Sequence, residues 1–360
     1  METKKKYIKL NKLFMYKIFF IEFLMFMYLI FYEFYHSKNK KKQDNNNSKI
    51  FDIIKRSFFN MIYEKLKINT TYINAIYMIG FKNFGNFLIS LNNAIIFCEL
   101  FKCKKIIIEY SDNIFIKNKI LCPKNNLTIE PNYNINFANG NIIFLNVNYF
   151  YYIFNFKFLG QVNRFDLFRN EIISNLPKTN VHPKDLFIYI RGGDIFSRLN
   201  QSNPSYPQPP FCFYETILNK FKFKEISIIS EDILNPVTPK LLNKYPYIKY
   251  KKNNIKFDIS YLANSYNIVS AKSSFIASII KLNYNLKFLW EYDFYRLSER
   301  YLHLHHSVYT FPFNYFIYRM NASENYKKIM LPFRNSEEQR KLMFEEKCYN
   351  NFYVIPPRNS

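Results

Sequence analysis

Glycine and tryptophan are scarce in this 360-residue chain, which has six of the first and one of the second. Acidic side chains are also few, with 27 Asp and Glu against 51 Lys and Arg, a formal net charge of +24. Such an excess of base ordinarily points to nucleic acid. Here the lysines are spread along the whole chain, and Lys, Asn, Ile, Phe and Tyr are abundant together. That joint bias marks a compositional drift of the entire sequence, not one basic face. Zinc-finger spacing, a basic helix with heptads and an RNA-binding aromatic motif are all missing, so no nucleic-acid partner is expected. The five cysteines (Cys98, Cys103, Cys122, Cys212 and Cys348) form no Cys-x-x-Cys and no Cys/His ligand pattern, which argues against a zinc site. In an oxidising compartment one or two disulfides are possible, with no pairing readable from the spacing. Hydrophobic residues make up 49% of the chain, enough for a substantial core.

What is present begins at the amino terminus. Lys4, Lys5, Lys6, Lys9 and Lys12 precede a largely apolar run over 13–35, longer than the ~20 residues that cross a bilayer core. Lys17 and Glu22 interrupt it; Lys17 is near enough to the start to snorkel toward the headgroups. A cleaved signal peptide needs a small-residue cleavage site, and Phe31-Tyr32-Glu33-Phe34-Tyr35 offers none. The expectation is a single-pass signal anchor: a cytosolic tail over 1–12, a transmembrane helix over 13–35 and a polar stem over 36–70. The sequons at Asn46, Asn69, Asn126, Asn200 and Asn321 all follow it, as a luminal body permits.

The body reads as alternating strands and helices. Ala75–Ile79 predicts a strand, Gly85-Asn86 a turn, the following stretch to Phe101 a helix, and Lys105–Glu109 a second strand, a βαβ unit. Leu186–Ile190 is a short β-branched and aromatic run that stops at Arg191-Gly192-Gly193-Asp194. Strands are also expected at Glu225–Ile229, Ile248–Tyr250, Tyr266–Val269 and Leu286–Trp290, with helices between them. Three of these strands end in polar clusters: Arg191 and Asp194; Ser230, Glu231 and Asp232; Ser270, Lys272, Ser273 and Ser274. In a parallel, doubly wound sheet those ends share one edge, where ligands bind. An arginine there suits an anion, since its guanidinium grips phosphate oxygens with two parallel bonds. The bland alternative is a turn held by an Arg191–Asp194 salt bridge. His303, His305 and His306 lack an evident carboxylate partner and are read as surface or packing residues, so no metal is expected.

The block Tyr189-Ile190-Arg191-Gly192-Gly193-Asp194 resembles the His-x-Arg-x-x-Asp motif of the fucosyltransferase superfamily joining the α1,2-, α1,6- and protein O-fucosyltransferases, with Tyr189 where that family has histidine. Three further blocks follow the family's order: Gly85-Asn86 with Leu91-Asn92-Asn93-Ala94; Ile228–Asp232; and Asp258-Ile259-Ser260-Tyr261-Leu262 with Ser273-Ser274-Phe275. The α1,2 branch is the nearer one, and the resemblance spans about Ile79 to Trp290. It implies two Rossmann-like domains facing across a cleft (the GT-B architecture), here 71–183 on the acceptor side and 184–320 on the donor side, followed by an extension over 321–360. It also implies a GDP-fucose donor, no metal or other cofactor, a glycan or glycoprotein acceptor, and a type II enzyme of the Golgi or endoplasmic reticulum. By that resemblance Arg191 holds the donor's β-phosphate, Ser273 and Ser274 face the diphosphate, Asp258 meets the guanine or ribose, and Gly85 and Asn86 form the opposing lip. Asp194, Glu231 and Asp232 are the candidate general bases. Alternatives are another nucleotide sugar on the same fold, and a non-catalytic glycan-binding descendant.

Overall fold

The structure is a computed structural model, and it describes residues 75–79, 83–101, 103–109, 115–122, 126–132, 142–146, 164–200, 206–294, 314–348 and 351–357. All of them lie in one compact unit, Ile73–Ser360. The expected anchor and stem, the aromatic stretch 149–159, the three clustered histidines, and the sequons at Asn46 and Asn69 fall outside the described residues. Among the described residues no helix is long and apolar enough to cross a membrane.

The expected α/β alternation is present, arranged around two largely parallel sheets. The first is built from β1 (Ala75–Ile79), β2 (Lys105–Glu109), β3 (Ile120–Cys122), β4 (Leu127–Asn132) and β5 (Ile142–Asn146) in the order β3-β4-β2-β1-β5. Its pairings are parallel except β3 with β4. Helix α1 (Phe84–Phe101) connects β1 to β2. Its Phe87, Leu88, Leu91, Ala94 and Ile95 are all buried, and a helix with so broad an apolar surface belongs between layers. Helix α2 (Asp166–Ser174) follows, tied to α1 where the Arg164 N–H donates to Asn92 Oδ1 at 2.8 Å.

The second sheet runs β12-β11-β10-β9-β6-β7-β8, from β6 (Leu186–Tyr189), β7 (Ile226–Ile229), β8 (Lys249–Lys251), β9 (Asn267–Ser270), β10 (Phe288–Asp293), β11 (Phe316–Asn321) and β12 (Tyr353–Ile355). Only β12 is antiparallel to its neighbour. The crossovers are helices α3 (Phe211–Lys220), α4 (Val237–Lys244), α5 (Ile255–Asn264) and α6 (Ser274–Leu282). The stretch 321–360, expected to be an extension, supplies α7 (Glu324–Met330), α8 (Glu337–Glu345) and edge strand β12. It is therefore an integral part of the second sheet's layer.

Alternation along β6 divides its side chains between two cores. Leu186 and Ile188 join a cluster with Phe213, Val237 and Trp290. Phe187 and Tyr189 join a cluster that runs through α6 and α1 into the first sheet. The two sheets thus share one continuous core, with α1 packed on α6.

A disulfide joins Cys98 to Cys103, and a second links Cys212 on α3 to Cys348 after α8. Cys122 is free and buried.

Candidate functional site

Strand order locates the site. From β6 the chain winds outward to β7 and β8, then returns to lay β9, β10 and β11 on the other side of β6. The topological switch therefore falls between β6 and β9, and the crevice outside their carboxyl ends is where an open α/β sheet binds its ligand. Arg191 follows β6 and Ser273 follows β9, so the two lie on either side of this crevice. The Tyr189 hydroxyl donates to Ser273 Oγ at 3.3 Å, bridging the switch. Ser273 is also the N-cap of α6, its Oγ accepting from the Phe275 N–H at 3.1 Å.

The Arg-Gly-Gly-Asp turn rests on the Ser230-Glu231-Asp232 loop of the adjacent strand. Gly193 adopts φ 62°, and a Cβ there would lie 2.1 Å from Glu231 Oε2. Only glycine meets both conditions without strain. Asp232 accepts from the Gly193 N–H at 3.0 Å and from the Leu234 N–H at 2.9 Å, so both its oxygens hold backbone. Arg191 forms an ion pair with Asp194, as the bland reading of the turn foresaw. The pair engages only one end of the guanidinium, because the buried Nε has no protein partner among the described residues. Burial disfavours the Arg191 cation, but Tyr189, Asp194 and Glu231 together outweigh it and raise its pKa. The Tyr189 hydroxyl is raised by burial as well.

Asp258 sits in the first turn of α5, where the Asn253 amide donates to it at 3.3 Å. Burial pushes its carboxyl up to about 7. Tyr250, the middle residue of β8, donates to the Ser230 carbonyl at 3.4 Å and is raised by burial and by both Asp232 and Asp258. Asp258, Tyr250, Ser230 and Asp232 are thus neighbours on the same carboxyl edge as Arg191.

Gly85 and Asn86 differ from their expected place on the far lip of an open cleft. The first turn of α1 packs directly on the first turn of α6. A Cβ on Gly85 would meet the Phe275 nitrogen and the Ser274 carbonyl carbon at 2.5 Å. Ser274 Oγ donates to Asn86 Oδ1 at 2.8 Å, and Ser278 Oγ donates to the Gly85 carbonyl at 3.1 Å. Close helix packing therefore accounts for the Gly85 requirement, and the Ser274 hydroxyl is engaged by Asn86.

The same edge carries further charges, of which only Lys272 was picked out from the sequence. Lys272 precedes Ser273, and burial lowers its ammonium to about 7, with Asp293 acting in the opposite direction. Burial lifts Glu291 to about 7 against the pull of Arg319 on β11; their carboxylate and guanidinium are 3.3 Å apart. The sequence did contain a signal for Glu291 and Asp293, since they continue β10 past Trp290, where the strand was expected to stop. Arg319 lies on a strand not foreseen. Among the described residues no group of His, Cys, Asp and Glu is arranged to hold a metal. No protein-family model matches the chain, and neither a curated protein nor a solved structure matches it.

Proposed function

We propose that the chain is a membrane-anchored inverting glycosyltransferase that moves fucose from GDP-fucose to a hydroxyl of a glycan or glycoprotein. In this reading the two Rossmann-like sheets are the halves of a GT-B architecture and the body is luminal. The observation that carries it is that Arg191 and Ser273 follow the two strands at the topological switch of the second sheet, with the Tyr189 hydroxyl bonded to Ser273 across it. A diphosphate laid there meets a guanidinium on one side and the amino terminus of α6 on the other. As the bond from the sugar C1 to the β-phosphate oxygen breaks, negative charge grows on GDP, and a preorganised cation stabilises it most at that moment. A hydroxyl has one donor and two acceptor sites. Ser273 already accepts from Tyr189 and Phe275, so its own proton is available to a phosphate oxygen.

The acceptor oxygen attacks C1 from the opposite face, forming the new bond with inversion and giving its proton to a carboxylate. Asp232 is the weakest of the three candidates for that role, because both of its oxygens hold backbone N–H groups. The Asp194 carboxylate is exposed and, among the described residues, held only by its pair with Arg191, a type of contact worth ~0–1 kcal/mol, so it is free to turn. The two disulfides support passage through an oxidising, secretory compartment.

The test is GDP-fucose hydrolysis and transfer by the wild-type chain and its Arg191→Ala variant. Loss of activity with retained folding supports the role given to Arg191; indifference to the change overturns it. A donor panel in a thermal-shift assay separates GDP-fucose from other nucleotide sugars, since a bound ligand stabilises the fold by mass action. A non-catalytic, glycan-binding reading is favoured by one observation: the residue at the family's histidine position is a buried tyrosine bonded within the protein. That reading predicts no stabilisation by any donor.

A further inference from the structure

The asparagines of the Asn-x-Ser/Thr sequences are treated differently by the fold. Asn200 is followed by residues outside the described set. Asn321 closes β11 and is half-buried; Ala322 after it is 4% exposed. The Ser323 hydroxyl is taken up as the N-cap of α7, accepting from the Tyr326 N–H at 3.1 Å. Because β11 runs parallel to β10, β9 and β6, it ends on the carboxyl edge that holds Arg191, and a bulky group there would stand over the crevice.

Asn126 is placed otherwise. It is exposed, directly before β4, with φ 48°, a left-handed conformation that asparagine adopts more readily than most residues. Side chains alternate along β4. Leu127 and Ile129 are buried in the core at 3% and 0% exposure. Thr128 is half-buried on the other face, where Glu130 pairs with Lys105 at 2.8 Å. An exposed asparagine followed two residues later by a hydroxyl is the acceptor pattern of N-glycosylation. The neighbouring strand supplies a second observation. β3 is the outermost strand of the first sheet, and its Leu121, the partner of Thr128 across the ladder, is 64% exposed. An outer strand with an exposed apolar side chain invites pairing with another chain unless something covers it.

We propose that Asn126 carries an N-linked oligosaccharide and that this glycan shields the β3 edge. The site rests on the luminal body of the reading above, not on the transferase activity. The co-reactant is an oligosaccharide held on a polyisoprenyl diphosphate. A bond forms between Asn126 Nδ2 and the sugar C1, and the bond from C1 to the phosphate oxygen breaks. The lipid diphosphate leaves with the electron pair, and the amide proton passes to a carboxylate of the transferring enzyme.

The full-length chain is expressed in eukaryotic secretory cells, sealed microsomes are isolated, and peptide-N-glycosidase in heavy-oxygen water tags each occupied asparagine for mass spectrometry. The expected result is a tag at Asn126 and none at Asn321. Asn126→Gln and, independently, Thr128→Ala should both leave position 126 bare, whereas Thr128→Ser should keep the glycan. Both bare variants should shift from monomer toward larger species in size-exclusion chromatography. Adding Leu121→Lys, which blunts the edge with a charge, should return them to monomer. A bare Asn126 in a chain protected from added protease, or a tag at Asn321, overturns the assignment. Bare variants that stay monomeric overturn the shielding. A body digested by protease outside sealed microsomes, with every sequon bare, overturns the luminal placement and the site together.

Discussion

The hydroxyl of Tyr189 and the Oγ of Ser273 lie 3.3 Å apart across the point where the second sheet reverses its winding. The contact joins the end of one central strand to the start of the helix after the other, and it is buried. Removing it with Tyr189→Phe leaves Ser273 still capping α6. The expected cost is about 0.5–1.5 kcal/mol, the net worth of one such bond, measured by urea denaturation. An unchanged denaturation midpoint would show that the bond contributes nothing to the switch.

Asp194 and Arg191 are expected to separate binding from chemistry. Asp194→Asn weakens the grip on the guanidinium, so GDP should bind several-fold more tightly by calorimetry. If Asp194 also accepts the acceptor's proton, transfer should fall by about 10²–10⁴-fold in the same variant. Tighter GDP binding with undiminished transfer would restrict Asp194 to holding Arg191 and move the base to Glu231.

Gly85→Ala tests how closely the two helix starts must approach. The added methyl would overlap the backbone of Ser274 and Phe275 at 2.5 Å, and neither is the loose end of a side chain. Overpacking of this kind costs about 1–3 kcal/mol, which should lower the melting temperature by several degrees. An unaltered melting temperature would mean that α1 and α6 slide apart freely.

Two half-buried ionisable groups on the carboxyl edge should leave opposite marks on the pH dependence of stability. Asp258 holds its proton to about 7 in the folded protein, whereas the unfolded chain releases it near ~4. Its contribution is therefore complete below pH ~4 and is lost as the pH rises through 7. Lys272 is lowered to about 7 from the ~10.4 of the unfolded chain. Its contribution is present above that value and is lost as the pH falls toward 7. Asp258→Asn should flatten the decline on the acid side, by on the order of 1 kcal/mol after solvent screening, and Lys272→Met should flatten the rise on the alkaline side. Wild-type and variant curves that run parallel would contradict both assignments.

The Cys212–Cys348 bridge closes a loop with a sequence separation of 136 residues, against 5 for Cys98–Cys103. The longer loop restricts the unfolded chain far more, so the pair Cys212→Ser/Cys348→Ser should lose about 2–5 kcal/mol. The Cys98→Ser/Cys103→Ser pair should lose less. Peptide mapping without reductant identifies both linkages directly.

The sequence by itself determined the alternation of strands and helices through most of the second sheet, because its strands are short apolar runs bounded by turn residues. It also determined that Arg191, Ser230 and Ser273 stand at strand ends, a consequence of where those runs stop. It could not determine strand order, and with it the switch that brings Arg191 and Ser273 together, since pairing of β6 with β9 spans a long separation and leaves no local pattern. Strands β3, β4, β11 and β12 and helices α7 and α8 were missed because their residues are held by pairing and packing partners distant in the chain. Gly85 shows the same division. The sequence marked it as a turn glycine, but only the packing of α1 on α6 shows why that position allows no side chain.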